Sequence, residues 1–168
     1  MIIWLVGLMG SGKSTVGKQL AQKIGFAWHD TDKLIEVLEG QKIHEIFSKK
    51  GEDYFRSKEE ELFEKISSMS DVVISTGGGF PCHHDLMGKM ISTGQCIYLD
   101  YPSEVLSGRL ISDPASRPLL SGMSNVDEIT LFLNRLLSER EGIYSESQWI
   151  LRNDPEPANT IHRILFSK

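Results

Sequence analysis

Only two cysteines occur in the 168 residues, Cys82 and Cys96, and neither sits in a CxxC or Cys/His pairing. The chain is therefore not built on a disulfide or metal framework, and two reduced thiols suit a reducing compartment. No stretch of the sequence approaches the roughly 20 apolar residues of a membrane-spanning helix. The apolar start, residues 2–6, runs straight into glycines and Lys13 without a basic leader region or cleavage site, so a cytoplasmic setting is expected. Positive charge is also in deficit: 18 Lys and Arg against 23 Asp and Glu leave a formal net charge of −5. That balance argues against a general nucleic-acid or anionic-membrane surface. Any polyanion must be met by a few placed cations inside an acidic shell. Repeats and low-complexity segments are missing, and 15 glycines without a period exclude a fibre.

The hydrophobic content is ordinary, at 40%, and the length suits one domain over residues 1–168. Short apolar runs alternate with helical patterns. Residues 2–8, 26–30, 71–76, 96–99 and 149–151 read as strands. Between them, residues 16–24, 33–39, 43–49, 52–67, 84–92, 103–110, 127–142 and 159–166 read as helices, with Gly25, Gly40 and Gly51 as stops. Residues 111–125 have no period and form a long loop. Five strands separated by helices predict an α/β fold, an open parallel sheet covered on both faces, with ligands at the carboxyl ends of the strands.

Gly7-Leu8-Met9-Gly10-Ser11-Gly12-Lys13-Ser14 fits GxxxxGK[ST] in full, after a buried strand and before an amphipathic helix. Gly10, Ser11 and Gly12 would turn backbone N–H groups toward phosphate oxygens, and the helix N-terminus adds partial positive charge. Lys13 would neutralise the β- and γ-phosphates, and the Ser14 hydroxyl would ligate Mg²⁺. The loop alone does not separate a kinase from a GTPase, an ATPase or a nucleotide-gated switch.

Asp30 and Asp32 close the second strand two residues apart, a spacing that points both carboxylates the same way in extended chain. One could help hold Mg²⁺ and the other accept a proton from a substrate hydroxyl; an N-cap for the next helix is the competing reading. Arg56 lies among acids on a helix, where an ion pair with Glu60 four residues on is the plain expectation. Gly77-Gly78-Gly79 directly follows a strand, which suggests close backbone approach to a ligand. Arg117-Pro118 sits in the long loop, which at this length suits a lid closing on a phosphoryl group. Arg140, near a helix C-terminus, could simply favour the helix dipole.

Taken together, these segments resemble shikimate kinase over essentially the whole chain. The resemblance is carried by the phosphate loop through Thr15, Asp30-Thr31-Asp32, Gly51-Glu52-Asp53-Tyr54-Phe55-Arg56-Ser57-Lys58-Glu59, Ser75-Thr76-Gly77-Gly78-Gly79, Arg117-Pro118-Leu119-Leu120 and Arg140-Glu141-Gly142-Ile143-Tyr144. It implies a three-layer P-loop kinase fold and MgATP-dependent phosphorylation of the shikimate 3-hydroxyl, on the route to aromatic amino acids. It also implies a substrate segment over about 32–62 and a lid over about 111–125. Arg56 and Arg140 would bind the shikimate carboxylate. Asp32 would accept from the hydroxyls as the base, Asp30 would help organise Mg²⁺, and the backbone of Gly77, Gly78 and Gly79 would complete the pocket. Residues 10–15 would hold the phosphates, Arg117 would close over them, Arg109 would stack on adenine, and Arg152 would reach the base.

The sequence departs from the family at Phe80-Pro81-Cys82-His83-His84, which reshapes the pocket wall without removing a charged contact, and at Asp113-Pro114-Ala115-Ser116, which lacks basic residues some relatives carry in the lid. Two other readings stand beside the leading one: a P-loop kinase for another hydroxy acid such as gluconate, and a non-catalytic nucleotide-binding regulatory module. The arginine pair with the glycine triplet disfavours the first. The second predicts loss of Lys13, Asp32, Arg56 or Arg140, and all four are present. ATP and shikimate are the expected partners, with no nucleic acid and no membrane, and the absence of a long apolar surface stripe suits a monomer.

Overall fold

β1 (Ile2–Val6) is wholly buried, as an uninterrupted Ile-Ile-Trp-Leu-Val run requires of a strand covered on both faces. In the computed structural model, which describes residues 1–112, 118–120 and 122–167, it is the central strand of a five-stranded sheet. β3 (Val72–Ser75) and β4 (Gln95–Asp100) flank it, with β2 (Ala27–Asp30) beyond β3 and β5 (Trp149–Arg152) beyond β4. Every pairing is parallel, with Trp4 opposite both Ile74 and Cys96. The all-parallel sheet expected from the sequence is present, and the strands begin or end within two residues of the expected limits.

The helices that make these crossovers are α1 (Lys13–Ile24), α2 (Thr31–Glu39), α3 (Ile43–Ser67), α4 (Leu86–Thr93), α5 (Ser103–Leu110) and α6 (Val126–Tyr144), and α7 (Pro157–Phe166) follows the last strand. α1 packs on β3 and against α7, α2 packs on α3, and α5 pairs with α6. Gly40 ends α2 at φ 63°, and Gly51 at φ 82°, ψ 173° breaks α3 into the two helical pieces expected from the sequence. Trp4 is fully buried and stacks on Phe63 of α3 at 5.6 Å, tying the centre of the sheet to the helical layer.

The strand order is what builds the site. β2, β3 and β1 are neighbours, so the acids after β2, the glycine triplet after β3 and the phosphate loop after β1 lie side by side at the carboxyl edge of the sheet. α6 reaches the 3-10 turn at Phe80–Cys82, which brings the end carrying Arg140 and Tyr144 to the triplet. Thr76 reinforces this edge by donating its hydroxyl to Leu5 O at 2.9 Å.

Tight packing of α1 on β3 depends on Gly17. A Cβ there would stand 2.5 Å from Ser75 Oγ and 2.6 Å from Trp28 Nε1, two atoms already hydrogen-bonded to each other at 3.0 Å. An exposed helical Gly→Ala change normally adds about 1 kcal/mol of stability. Gly17→Ala is instead expected to remove about 1–3 kcal/mol through overpacking, read as a lower urea midpoint.

Candidate active site

All five strand ends deliver residues to one cavity of about 560 Å³. β1 supplies the phosphate loop, β2 supplies Asp30 and Asp32, and β3 supplies Thr76, Gly77 and Gly78. β4 and β5 supply Tyr101 and the prolines 155 and 157 at the opposite end.

The phosphate loop enters α1 through Gly12 at φ 89°, a left-handed conformation that glycine adopts without strain. Gly10, Ser11, Gly12, Lys13, Ser14 and Thr15 all line the cavity. Lys13 Nζ donates to Gly7 O at 2.8 Å and Leu8 O at 2.7 Å, so its charge is held inside the loop. The Ser14 hydroxyl donates to Asp30 Oδ2 at 2.6 Å. Asp30 Oδ1 accepts from the backbone N–H groups of Asp32 and Lys33, capping α2. Asp30 is thus both helix cap and partner of Ser14, and the two readings of it do not compete.

Asp32 arrives differently from the sequence expectation. Strand alternation does not align it with Asp30, because α2 begins at Thr31 and Asp32 lies in the first helical turn. The N-cap bond from Asp30 curls the chain there, and the Thr31 hydroxyl accepts from Gly77 N–H at 2.8 Å, fixing the helix start against the triplet. Burial pushes the Asp32 carboxyl up to about 6; the neighbouring Asp30 charge adds to this, while Lys13 and Arg56 oppose it.

Each glycine of the triplet makes room for a different charged side chain. A Cβ at Gly77 would overlap Asp32 Oδ1. At Gly78 it would stand 3.3 Å from Arg140 Nη1, and at Gly79 2.8 Å from Arg56 Nη1. None of the three has a positive φ, so the requirement is for space and not for an unusual backbone. The close approach expected of these glycines is therefore made first of all by the protein's own charges.

Arg56 does not pair with Glu60 as its helical spacing suggested. It donates to Glu59 at 2.8 Å and to Glu52 at 2.8 Å, while Glu60 pairs with Lys89 at 2.9 Å. Burial pulls the guanidinium pKa down, but Glu59 and Glu52 together outweigh it and the net shift is upward. Glu59 is only 1% exposed, and burial pushes its carboxyl up to about 7 against the pull of Arg56. Arg140 is half-buried and hydrogen-bonds with the Tyr144 hydroxyl, which itself donates to Gly78 O at 2.6 Å. Burial raises the Tyr144 pKa, so this phenol stays a neutral donor.

At the far end, Arg109 lines the cavity and donates to Gly10 O at 3.1 Å. Arg152 is placed elsewhere: it is exposed on β5, with Nε 3.5 Å from Asp100 Oδ2, and it does not line the cavity. Arg117 and residues 113–116 lie outside the described residues. Cys82 and Cys96 are free thiols, and burial raises both, Cys96 to about 12. Among the described residues no cluster of three His, Cys, Asp or Glu side chains can hold a metal, and no helix is long and apolar enough to cross a membrane.

The shikimate kinase family model matches residues 9–166. The chain belongs to the shikimate kinase family. The shikimate kinase of Persephonella marina is 45% identical over 145 residues, covering 86% of this chain and 84% of that one. Among solved structures, the shikimate kinase of Bacteroides thetaiotaomicron superposes with a TM-score of 0.91 at 33% identity, covering 98% of both chains. That of Acinetobacter baumannii, solved in complex with shikimate, gives 0.89 at 32% identity, covering 99% of this chain and 93% of that one. The P-loop kinase fold expected from the sequence is therefore the fold observed.

For this shikimate kinase family member, sequence reasoning passed over Thr31, Glu59 and Tyr144 as parts of the site. Glu59 is one acid among several on its helix, and only its burial sets it apart. Tyr144 stands four residues after Arg140, one helical turn, and that spacing is the signal that could have linked them.

Two outcomes follow from this geometry. Gly79→Ala pushes on the guanidinium that Glu52 and Glu59 hold, so the melting temperature should fall as Arg56 is displaced from these partners. The KM for the carboxylate substrate should then rise by at least about tenfold, the loss of one charge-assisted contact. Asp32→Asn should be more stable than the parent at pH 8. A carboxyl whose folded pKa is raised costs stability once pH exceeds that pKa, and the cost vanishes below the unfolded value. The gain should be about 1–3 kcal/mol at pH 8 and should disappear as pH falls from about 6 to about 4, read from thermal melts across that range.

Proposed function

We propose that this chain is a single P-loop kinase domain that transfers the γ-phosphoryl group of ATP to the 3-hydroxyl of shikimate, giving shikimate 3-phosphate and ADP in aromatic amino acid biosynthesis. One observation carries the reading: Asp32, Arg140 and Arg56 converge on Gly77-Gly78-Gly79 beside a complete phosphate loop. Two cations and a half-buried carboxylate beside a phosphate site suit a small hydroxylated carboxylic acid. Membership of the family and the likeness to a shikimate-bound relative support shikimate over gluconate, and the complete charge set speaks against a non-catalytic module.

The residues then divide the work by position. Arg56 and Arg140 hold the carboxylate with charge-assisted bonds, and the backbone of Gly78 and Gly79 closes that wall. Asp32 accepts the proton of the 3-hydroxyl as its oxygen forms a bond to the γ-phosphorus. The bond from that phosphorus to the β–γ bridging oxygen breaks, and ADP leaves with the electron pair. Lys13 stabilises the β- and γ-phosphate charge, and the N-terminus of α1 adds its partial positive end. Arg109 lies against the adenine. Residues from about 32 to about 62 are the substrate segment, while most of the lid expected over about 111–125, with Arg117, lies outside the described residues.

The donor set at the loop fits Mg²⁺, since the Ser14 hydroxyl and the Asp30 carboxylate put two hard oxygens 2.6 Å apart on the cavity wall. Ser14 would hold the ion directly and Asp30 would orient its shell. When bound, Mg²⁺ supplies charge neutralisation across the β- and γ-phosphate oxygens. Two free thiols, Cys96 buried and Cys82 half-buried, together with ATP as donor support a cytoplasmic setting.

ADP release in a coupled assay tests the reading. Turnover with MgATP should require shikimate and should be absent with gluconate; equal turnover with both, or none with shikimate, would remove the specific substrate. Because the base must be ionised, kcat/KM for shikimate should fall about tenfold per pH unit below about 6, where an unperturbed aspartate would hold activity down to about 4. Asp32→Asn should lower kcat by about 10²–10⁴-fold; an unchanged kcat would exclude Asp32 as the base.

A further inference from the structure

The end of the cavity away from the glycine triplet contains a buried aromatic residue to which no role has been assigned. Tyr101, the first residue after β4, is 6% exposed, yet it lines the cavity. Its ring lies under Arg109, with the guanidinium carbon 4.4 Å from the ring centroid. Arg109 is also tied to the phosphate loop through Gly10 O at 3.1 Å. The Tyr101 hydroxyl donates to Asp154 O, in the turn that carries Pro155 and Pro157 to the cavity wall. One phenol thus touches both walls of this end of the cavity: its face supports the cation and its hydroxyl holds the proline turn.

A long arginine side chain in solvent carries substantial rotamer entropy, which must be lost before it can present a flat surface to a ligand. Arg109 is exposed as a residue, but one face of its guanidinium is covered by Tyr101 and one N–H is bonded to the loop. The side chain also lines the cavity. A planar guanidinium pinned on an electron-rich ring is a prepared surface for a second planar π system, and the cation–π contact is stronger where water is excluded.

We infer that Tyr101 is a positioning residue for the nucleotide: its ring backs Arg109 so that tyrosine, guanidinium and purine base form a three-layer stack. The inference rests on the reading that Arg109 meets the base. Tyr101 itself does not touch the nucleotide in this arrangement and acts through Arg109. The ligand class is a purine nucleoside triphosphate whose base offers a wide π face. The carboxylate side of the site, where Arg56 and Arg140 reach the glycine triplet from α3 and α6, is separate and is unaffected.

A replacement that removes the ring tests this together with one that keeps its shape. Tyr101→Leu should raise KM for ATP by about 3–10-fold, the equivalent of one cation–π contact, while KM for shikimate and kcat at saturating ATP stay within about twofold, the scatter of an uninvolved site. In an Arg109→Ala background the same change should add nothing further to KM for ATP, since the two act as one unit. Because a leucine under Arg109 also alters packing, the second series keeps the ring: Tyr101→Phe, which loses the bond to Asp154 O but keeps the face under Arg109, should raise KM for ATP less than Tyr101→Leu does. Pentafluorophenylalanine at the same position, whose ring quadrupole is reversed, should weaken ATP binding as Tyr101→Leu does. A KM for ATP unmoved by fluorination, or a Tyr101→Leu effect that persists undiminished without Arg109, would overturn the stack. If Arg109→Ala alone leaves KM for ATP unchanged, the failure lies instead in the reading that Arg109 meets the base.

Discussion

Three side chains are absent at Gly77, Gly78 and Gly79, and the site depends on the space they leave. Asp32, Arg140 and Arg56 come from three different helices, and each approaches its glycine more closely than a Cβ would comfortably allow. The sheet makes this convergence possible, because β2, β3 and β1 are neighbours and end at one edge. A parallel sheet with this order places an acid, a glycine turn and a phosphate loop in a row. The remaining helices bring the cations to that row, α3 with Arg56 and α6 with Arg140.

Bringing two arginines and several carboxylates into so small a volume has an electrostatic cost, and the structure meets it by pairing. Arg56 is held between Glu52 and Glu59, Arg140 meets the Tyr144 hydroxyl, and Lys13 is taken up by loop carbonyls. Buried ion pairs of this kind are weak sources of stability, and their value lies in fixing geometry. Burial raises two of the carboxyls toward neutrality, Glu59, which is paired with Arg56, and Asp32, which lines the cavity. A base whose pKa lies nearer to working pH is a better proton acceptor than an ordinary aspartate, so the strain is placed where proton transfer would use it. The net charge of −5 describes the outer surface and conceals these few cations.

Much of this was legible in the sequence, for identifiable reasons. The phosphate loop has a fixed spacing, β1 is a continuous apolar run, and Gly40 and Gly51 break the helical pattern at the left-handed positions where the chain turns. What escaped depends on contacts between distant segments. Helical spacing offered Glu60 to Arg56, but tertiary packing turned the guanidinium toward Glu59 and Glu52. Strand periodicity explained the Asp30–Asp32 pair wrongly because the Asp30 cap starts the helix at Thr31, two residues earlier than the pattern showed. The triplet was legible as a close approach, though not as one made by three side chains from elsewhere. Arg152 lies on the exposed side of an edge strand, a placement its position in sequence does not reveal.

Diffraction from crystals of the protein with shikimate and a non-hydrolysable ATP analogue is the most direct measurement of the convergence at the glycine triplet. The shikimate carboxylate should lie about 2.7–2.9 Å from guanidinium nitrogens of both Arg56 and Arg140, with its 3-hydroxyl about 2.6–3.2 Å from a carboxylate oxygen of Asp32 and facing the γ-phosphate. A carboxylate bound away from both arginines, or a 3-hydroxyl turned away from Asp32, would contradict it.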